Sequence, residues 1–401
     1  MFHLDSFISK YVTQRSVSMF CDDIISNKDE LNKKICDKSV LVIGGAGTIG
    51  SSFIKALLPY KPKSLVVVDI NENALTELTR DIRSSMIFVP DEYITYPMDF
   101  SSSTFKKMFV NRQGFDIIAN FSAHKHVRSE KDIYSIEALI KNNVLNAKLL
   151  LDLVSIYPPE AYFCVSTDKA ANPVNIMGAS KRIMEDVIFS YSNIFPVKTA
   201  RFANVAFSNG SLPAGFLERI NKNQPISAPT DVRRYFVSPE ESGQICLMAC
   251  ILGENRDIFF PKLDETQMMS FDIICKELLT ELGYDVLECK TEEEAILKAS
   301  DLKNGSHLYP VYFSASDTSG EKLFEEFVTE SEKSNYNRFL SMGVISGKNI
   351  PSNDKIIKLF NDLNKAFDDN NITKEQIISI IKDYLPNFNH IETNKSLDSK
   401  M

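Results

Sequence analysis

Metal-binding side chains are scarce in this chain of 401 residues, which has five histidines and none at metal-ligand spacing. A structural metal is therefore not expected. The seven cysteines, at positions 21, 36, 164, 246, 250, 275 and 289, include no Cys-x-x-Cys pair. An odd count, with Cys164 inside an apolar run, argues against a disulfide framework and for reduced, cytoplasmic usage. Cys246 and Cys250 lie one helical turn apart and read as core. Positive charge is also lacking: the formal net charge is −8. No overall field recruits nucleic-acid phosphates, so a nucleic-acid partner is not expected. A small anion held by a few local Arg or Lys stays open. The N-terminus has no basic region followed by an apolar run, and no stretch approaches the ~20 apolar residues of a spanning helix. The reading is a soluble, cytoplasmic protein without a membrane span. Repeats and low-complexity segments are missing too.

What remains is ordinary globular composition, 44% hydrophobic and 24% charged. The length allows two or three domains, or one large α/β unit with additions. Residues 1–38 form a helical extension, with Leu4, Phe7, Ile8, Tyr11 and Val12 on one face and Phe20, Ile24, Ile25, Leu31 and Ile35 on a second piece. Such stripes usually pack on a core, and an oligomer contact is the alternative.

The β-branched run Ser39–Ile43 leads into Gly44-Gly45-Ala46-Gly47-Thr48-Ile49-Gly50 and then a helix. In this G-x-x-G-x-x-G, Gly44 allows a tight turn, Gly47 lets backbone approach a pyrophosphate, and Gly50 lets helix and strand pack closely. The N-terminus of that helix, read as Ser51–Leu58, presents N–H groups to the phosphates, with Thr48 and Ile49 of the turn as further cofactor-binding candidates. A second strand ends in Asp69, about 20 residues beyond the turn, where an acid binds the adenosine ribose. Its carboxylate repels a 2′-phosphate and favours NAD, while Arg80 and Arg83 leave NADP open. Asn71 follows it. Asp99 and Phe100, after strand Tyr93–Tyr96, are adenine-side candidates. A fourth strand, Phe115–Phe121, ends in Ser122 and Ala123, which lie against the cofactor, and Lys125, which can reach a substrate anion. The helix Ile133–Val154 carries Asn143 among apolar neighbours.

The centre of the chain is Val165 to Glu185. An apolar strand, Ala161–Val165, runs into Thr167, Asp168 and Lys169, crosses a loop broken by Pro173, and enters a helix with Lys181. Groups that give or take protons, placed at such a strand end, face the ligand crevice of an open α/β sheet. Strands alternating with helices to Phe207 indicate a doubly wound parallel sheet. The domains read as the extension (1–38), a dinucleotide-binding domain (39–207), a smaller α/β substrate region partly interleaved with it (208–330), and a helical tail (331–401). In that tail Thr373 and Gln376 form a capping box. Arg233-Arg234, in an acidic protein, suit a diphosphate.

Taken together, Gly44–Gly50, Ala123–Val127, Ser166–Ala170, Asn175–Lys181, Arg201–Val205, Arg234–Phe236 and Gly320–Leu323 resemble the nucleotide-sugar 4,6-dehydratases of the extended short-chain dehydrogenase/reductase superfamily. The group approached is that of bacterial polysaccharide-biosynthesis enzymes acting on UDP-N-acetylglucosamine. The resemblance covers residues 39–328. It implies a Rossmann fold, a homo-oligomer and a UDP-sugar substrate. Met177 stands where the superfamily has its basic Tyr, as in one branch of the dehydratases. Thr318-Ser319 replaces a family Arg-Pro that contacts the diphosphate. The implied reaction oxidises the sugar at C4, removes water across C5 and C6, and returns the hydride to C6. The implied roles give Asp168 the acid and Lys169 the base. The acid role requires burial or proton sharing between the two. Thr167 bonds the C4 oxygen, and Lys181 holds the nicotinamide ribose. Lys125, Asn204, Arg234 and Glu321 contact substrate. A 4-epimerase or another sugar-nucleotide oxidoreductase uses the same hydride exchange without the Asp/Lys pair, and an inactive nucleotide-binding scaffold is the non-enzymatic alternative.

Overall fold

The computed structural model describes residues 2–126, 130–316 and 326–391. Its strands, in chain order, are β1 (Ser39–Ile43), β2 (Ser64–Asp69), β3 (Glu92–Pro97), β4 (Ile117–Asn120), β5 (Ala161–Val165), β6 (Val197–Ala200), β7 (Asn204–Val205), β8 (Ile226–Pro229), β9 (Arg233–Val237), β10 (Ile258–Pro261), β11 (Met268–Ser270), β12 (Asp285–Cys289), β13 (Leu308–Ser314), β14 (Ser334–Asn335) and β15 (Met342–Ile345). Among the described residues, the main sheet has the order β14-β15-β10-β6-β5-β4-β1-β2-β3. From β3 through β10 all pairings are parallel, and β15 and β14 close the far edge antiparallel. Strands buried on both faces need continuous apolar runs, and β1, β2 and β5 supply them. The order reverses between β1 and β4, so the crevice beyond their carboxyl ends is the expected ligand position.

Two smaller sheets, β11-β9-β7 and β12-β13-β8, stand beside it. Around them Phe216, Ile226, Ile274, Leu278 and Tyr309 form a separate core. The N-terminal stripe packs there: Phe7, Ile8 and Val12 bury against this core, while Phe20, Leu31 and Ile35 bury against the main sheet. Ile25, placed on the second stripe by the sequence, is instead 64% exposed.

Several boundaries differ from the sequence reading. The fourth and sixth strands end earlier than expected, at Asn120 and Ala200, because the chain turns at the crevice edge. The helix at Ile133 is interrupted by a π turn, Lys141–Leu145, before continuing to Val154. Residues 331–391 are more than helical: β15 brings Met342, Val344 and Ile345 fully into the core of the main sheet. A four-residue run in polar surroundings carries too little periodicity to separate strand from loop. The helices Asn353–Phe367 and Lys374–Tyr384 follow, the second with the Thr373/Gln376 capping box. Their apolar faces, Ile356, Leu359, Leu363, Ile377 and Ile381, share one core with Ile140, Val144 and Ile183. No helix among the described residues is long and apolar enough to cross a membrane.

Candidate active site

The parallel register brings the strand ends together. Ile43 pairs with Asn120, Asn120 with Cys164, and Val165 with Ala200. The glycine turn after β1, the Ser122 turn after β4 and the Ser166–Lys169 segment after β5 therefore share one edge.

Gly44 sits at φ +70°, and a Cβ there would lie 2.6 Å from the Ser122 amide nitrogen. A Cβ on Gly50 would collide with the Gly44 carbonyl, whereas at Gly47 it would meet no atom closer than 3.5 Å. The turn is thus closed toward the protein at Gly44 and Gly50 and open at Gly47. Gly47 starts the helix Thr48–Leu57 without a side-chain cap, leaving the first N–H groups for a ligand. These are the features a dinucleotide phosphate needs, and the residues fit such a cofactor. Thr48 Oγ1 accepts from the Asn209 amide (3.0 Å), which ties this turn to the start of the substrate region. Ile49 lies half-buried beside it.

Asp69 ends β2, and its carboxylate accepts from the Ala46 and Asn71 amides, both at 3.0 Å. Asn71 caps the next helix through the Ala74 amide (3.0 Å). Asp99 is exposed and accepts from the Ser101 amide (2.7 Å), while Phe100 is buried. The Ser122 amide donates to Asn120 Oδ1 (2.9 Å), and Ala123 is half-buried. Lys125 is exposed at the crevice mouth, yet surrounding protein desolvates its ammonium enough to lower its pKa. Asn143, carried by the π turn, receives the His124 amide and donates to the His124 carbonyl, each at 2.9 Å. It also donates to Ser180 Oγ (3.0 Å). One buried amide so joins the β4 loop to the helix Ile176–Ser190.

Asp168 is 3% exposed. Its Oδ1 accepts from the Thr167 hydroxyl (2.6 Å) and the Lys169 amide (2.8 Å), with Lys169 Nζ at 3.5 Å. Hydroxyl, carboxylate and ammonium thus form one cluster in a short 3₁₀ turn, Asp168–Ala170. Met177 is buried near the start of the following helix. Lys181, 3% exposed, donates to the Val165 carbonyl (2.8 Å) rather than projecting outward. Burial lowers its pKa, against the opposing pull of Cys164 and Glu185.

Beneath this cluster lies a set of charges the sequence reading did not identify. Ser166 Oγ donates to Glu185 Oε1 (2.7 Å). Arg201, fully buried, grips Glu185 with Nε and Nη2 (2.8 and 2.7 Å) and Glu332 with Nη1 and Nη2 (2.7 and 2.8 Å). Lys348 Nζ lies 3.0 Å from both Glu185 and Asp186. Burial would raise the Glu185 carboxyl, but Arg201 and Lys348 outweigh it and hold it well below its ordinary 4.5. The sequence signal was an acid among Ile183, Met184 and Val187, and a lone Arg ending an apolar strand; the partners 131 to 163 residues away gave none.

The structure also joins two substrate candidates: β7 pairs with β9, setting Asn204 opposite Phe236, two residues past the buried Arg234. Val127, Thr318-Ser319 and Gly320–Leu323, with Glu321, lie outside the described residues.

Comparison with known proteins agrees with this architecture. The family model described as polysaccharide biosynthesis protein matches residues 40–346. An uncharacterized membrane protein, MJ1061, of Methanocaldococcus jannaschii is 29% identical over 86% of this chain and 96% of its own length. The probable polysaccharide biosynthesis protein EpsC of Bacillus subtilis is 27% identical over 74% of this chain, which spans only 48% of that relative. A UDP-N-acetylglucosamine 4,6-dehydratase (inverting) of Campylobacter jejuni is 25% identical over 70% of this chain and 83% of its own. Among solved structures, DesIV, a dTDP-glucose 4,6-dehydratase of Streptomyces venezuelae with NAD bound, superposes with a TM-score of 0.52 at 19% identity, covering 69% of this chain and 84% of that one. With the glycine turn, the strand order and the Thr-Asp-Lys cluster on the same sheet edge, the chain belongs to the polysaccharide biosynthesis protein family.

Proposed function

We propose that this protein is an NAD-dependent 4,6-dehydratase of a nucleotide-activated hexose, with UDP-N-acetylglucosamine as its substrate, serving surface glycan synthesis. The observation that carries the reading is the buried Asp168 carboxylate, bonded to the Thr167 hydroxyl and beside the Lys169 ammonium. An epimerase has no use for an adjacent acid and amine, whereas loss of water needs both a base at C5 and an acid at the C6 hydroxyl.

Gly44, Gly47, Thr48, Ile49, Gly50, Asp69, Asn71, Asp99, Phe100, Ser122 and Ala123 would hold the dinucleotide, while Lys181, turned inward onto the Val165 carbonyl, braces the strand end beneath it. Held there, NAD would supply the hydride acceptor for the sugar C4 and the hydride donor for C6. The C4 ketone acidifies the C5 proton, which Lys169 takes once neutral. Asp168 donates a proton to the departing C6 hydroxyl, and Thr167 bonds the C4 oxygen. Because the Lys169 ammonium lies 3.5 Å from the Asp168 carboxylate, the proton taken at C5 passes to Asp168 and restores the acid. Met177 exchanges no proton, so the C4 hydroxyl proton leaves through Asp168 or a water. Lys125, Asn204, Arg234 and Glu321 orient the substrate and its diphosphate. The Asp69 carboxylate disfavours a 2′-phosphate and so NADP.

Mass analysis of UDP-N-acetylglucosamine incubated with the purified protein tests the reading. A product lighter by one water supports it. A product of unchanged mass and altered C4 configuration identifies an epimerase, and bound cofactor without turnover of any UDP- or GDP-sugar identifies a scaffold.

A further inference from the structure

Residues after 346 lie beyond the family match, yet they reach back to the loop that carries the Thr-Asp-Lys cluster. Glu130 Oε1 accepts the Met177 amide (3.0 Å), the second residue of the helix Ile176–Ser190. Its other oxygen lies 3.4 Å from His390 Nε2, and the two side chains are 6% and 9% exposed for His390 and Glu130. Lys374 Nζ donates to the Glu130 carbonyl (3.4 Å). The Ile391 amide donates to the Val174 carbonyl (3.0 Å), inside the loop itself. Phe388, whose ring meets that of His390 at 5.8 Å, is buried in the same core as Ile176 and Met177. On the loop's other flank Asn172 donates to Glu326 (2.7 Å).

The mechanical link to the cluster is short. Gly178 packs so tightly on the Lys169 carbonyl that a Cβ would lie 2.6 Å from it. A helix start that shifts therefore displaces the Lys169 backbone, and the Lys169 amide is one of the donors that hold Asp168.

We infer that Glu130 and His390 are positioning residues. The C-terminal segment, through His390 and Ile391, holds the Glu130 carboxylate and the loop Ala171–Asn175 in place, and so sets the placement of Asp168 and Lys169. The inference rests on the proposed role of that cluster in catalysis. It makes the segment after residue 346 a working part of the active site and not a peripheral addition.

The test uses full-length His390→Ala, His390→Gln and Ile391→Pro, with amide hydrogen exchange of residues 172–178 and steady-state kinetics on UDP-N-acetylglucosamine. Proline lacks the N–H that bonds Val174, and Ile391 is exposed, so that variant removes one anchor without touching the core. His390→Ala is expected to speed exchange at 172–178 and to lower kcat about tenfold, in line with the cost of small misplacements in a site. KM is expected to stay within about twofold, since substrate binding itself is untouched. His390→Gln, whose amide can still donate to Glu130, is expected to recover most of both. Ile391→Pro should speed exchange at 172–175. Unaltered exchange and kcat in both His390→Ala and Ile391→Pro would overturn the inference, and so would a Gln variant as impaired as the Ala variant. If the wild-type protein turns over no nucleotide sugar while exchange responds as expected, the anchor stands and the proposed reaction falls.

Discussion

At the scale of single residues, the site depends on how Asp168 is held. Two donors from its immediate neighbours, the Thr167 hydroxyl and the Lys169 amide, converge on one oxygen. Asp168→Asn preserves size and removes the acid. It should leave NAD binding intact, measured by fluorescence titration, and slow release of water by about 10²–10⁴-fold, the usual worth of general acid–base catalysis. Product mass spectrometry checks it, and undiminished turnover refutes the assignment. Asp168, Lys169 and Thr167 were legible in the sequence because they follow an apolar strand directly. Asn143 was visible only as an oddity among apolar neighbours. Its task, gripping both backbone groups of His124, depends on a π turn that periodicity cannot register. Asn143→Ala strands those two groups and should cost about 1–3 kcal/mol, read as a lower midpoint in urea unfolding.

Among elements, the glycine turn and its helix are the most constrained. Gly44 combines positive φ with contact against the Ser122 backbone, so a methyl group is both strained and obstructed. Gly44→Ala should destabilise the fold by about 1–3 kcal/mol and weaken NAD, since the loop must move away from the crevice to make room. Calorimetry of the free protein and titration with NAD separate the two effects. This element was readable from its local pattern, strand then glycines then helix, although the helix starts at Thr48 rather than Ser51 because Gly47 already serves as its N-cap. β15 was not, because four residues buried by long-range pairing look like any short apolar run.

On the scale of the molecule, Arg201 ties the end of β6 to Glu185 and to Glu332, and Lys348 brings in the stretch beyond β15. Removing one partner of such a buried set leaves the others uncompensated, so Glu185→Ala should cost about 3–5 kcal/mol, measured as the change in unfolding free energy. The same set predicts an acid limit. Burial works against the Glu332 carboxylate, but Arg201 outweighs it and depresses the carboxyl below its ordinary 4.5, as for Glu185. Depressed carboxyls stabilise the fold fully above that ordinary value, and the contribution is lost as pH falls through the depressed folded values. The thermal midpoint should therefore hold steady down to about pH 5 and decline below it, and Arg201→Met should flatten that decline. A pH series of melting curves for both proteins decides this.

The sequence by itself determined the glycine turn, the alternation that makes a parallel sheet, and the acid and amine after the fifth strand, since each is a matter of neighbours a few residues apart. The tertiary structure alone decided which distant charges lie beneath that pair and how the C-terminal segment reaches the loop beside Met177. Those long-range contacts join residues 131 to 260 positions apart, and no local rule of backbone or periodicity ties such positions together; only the closing of one core around them does.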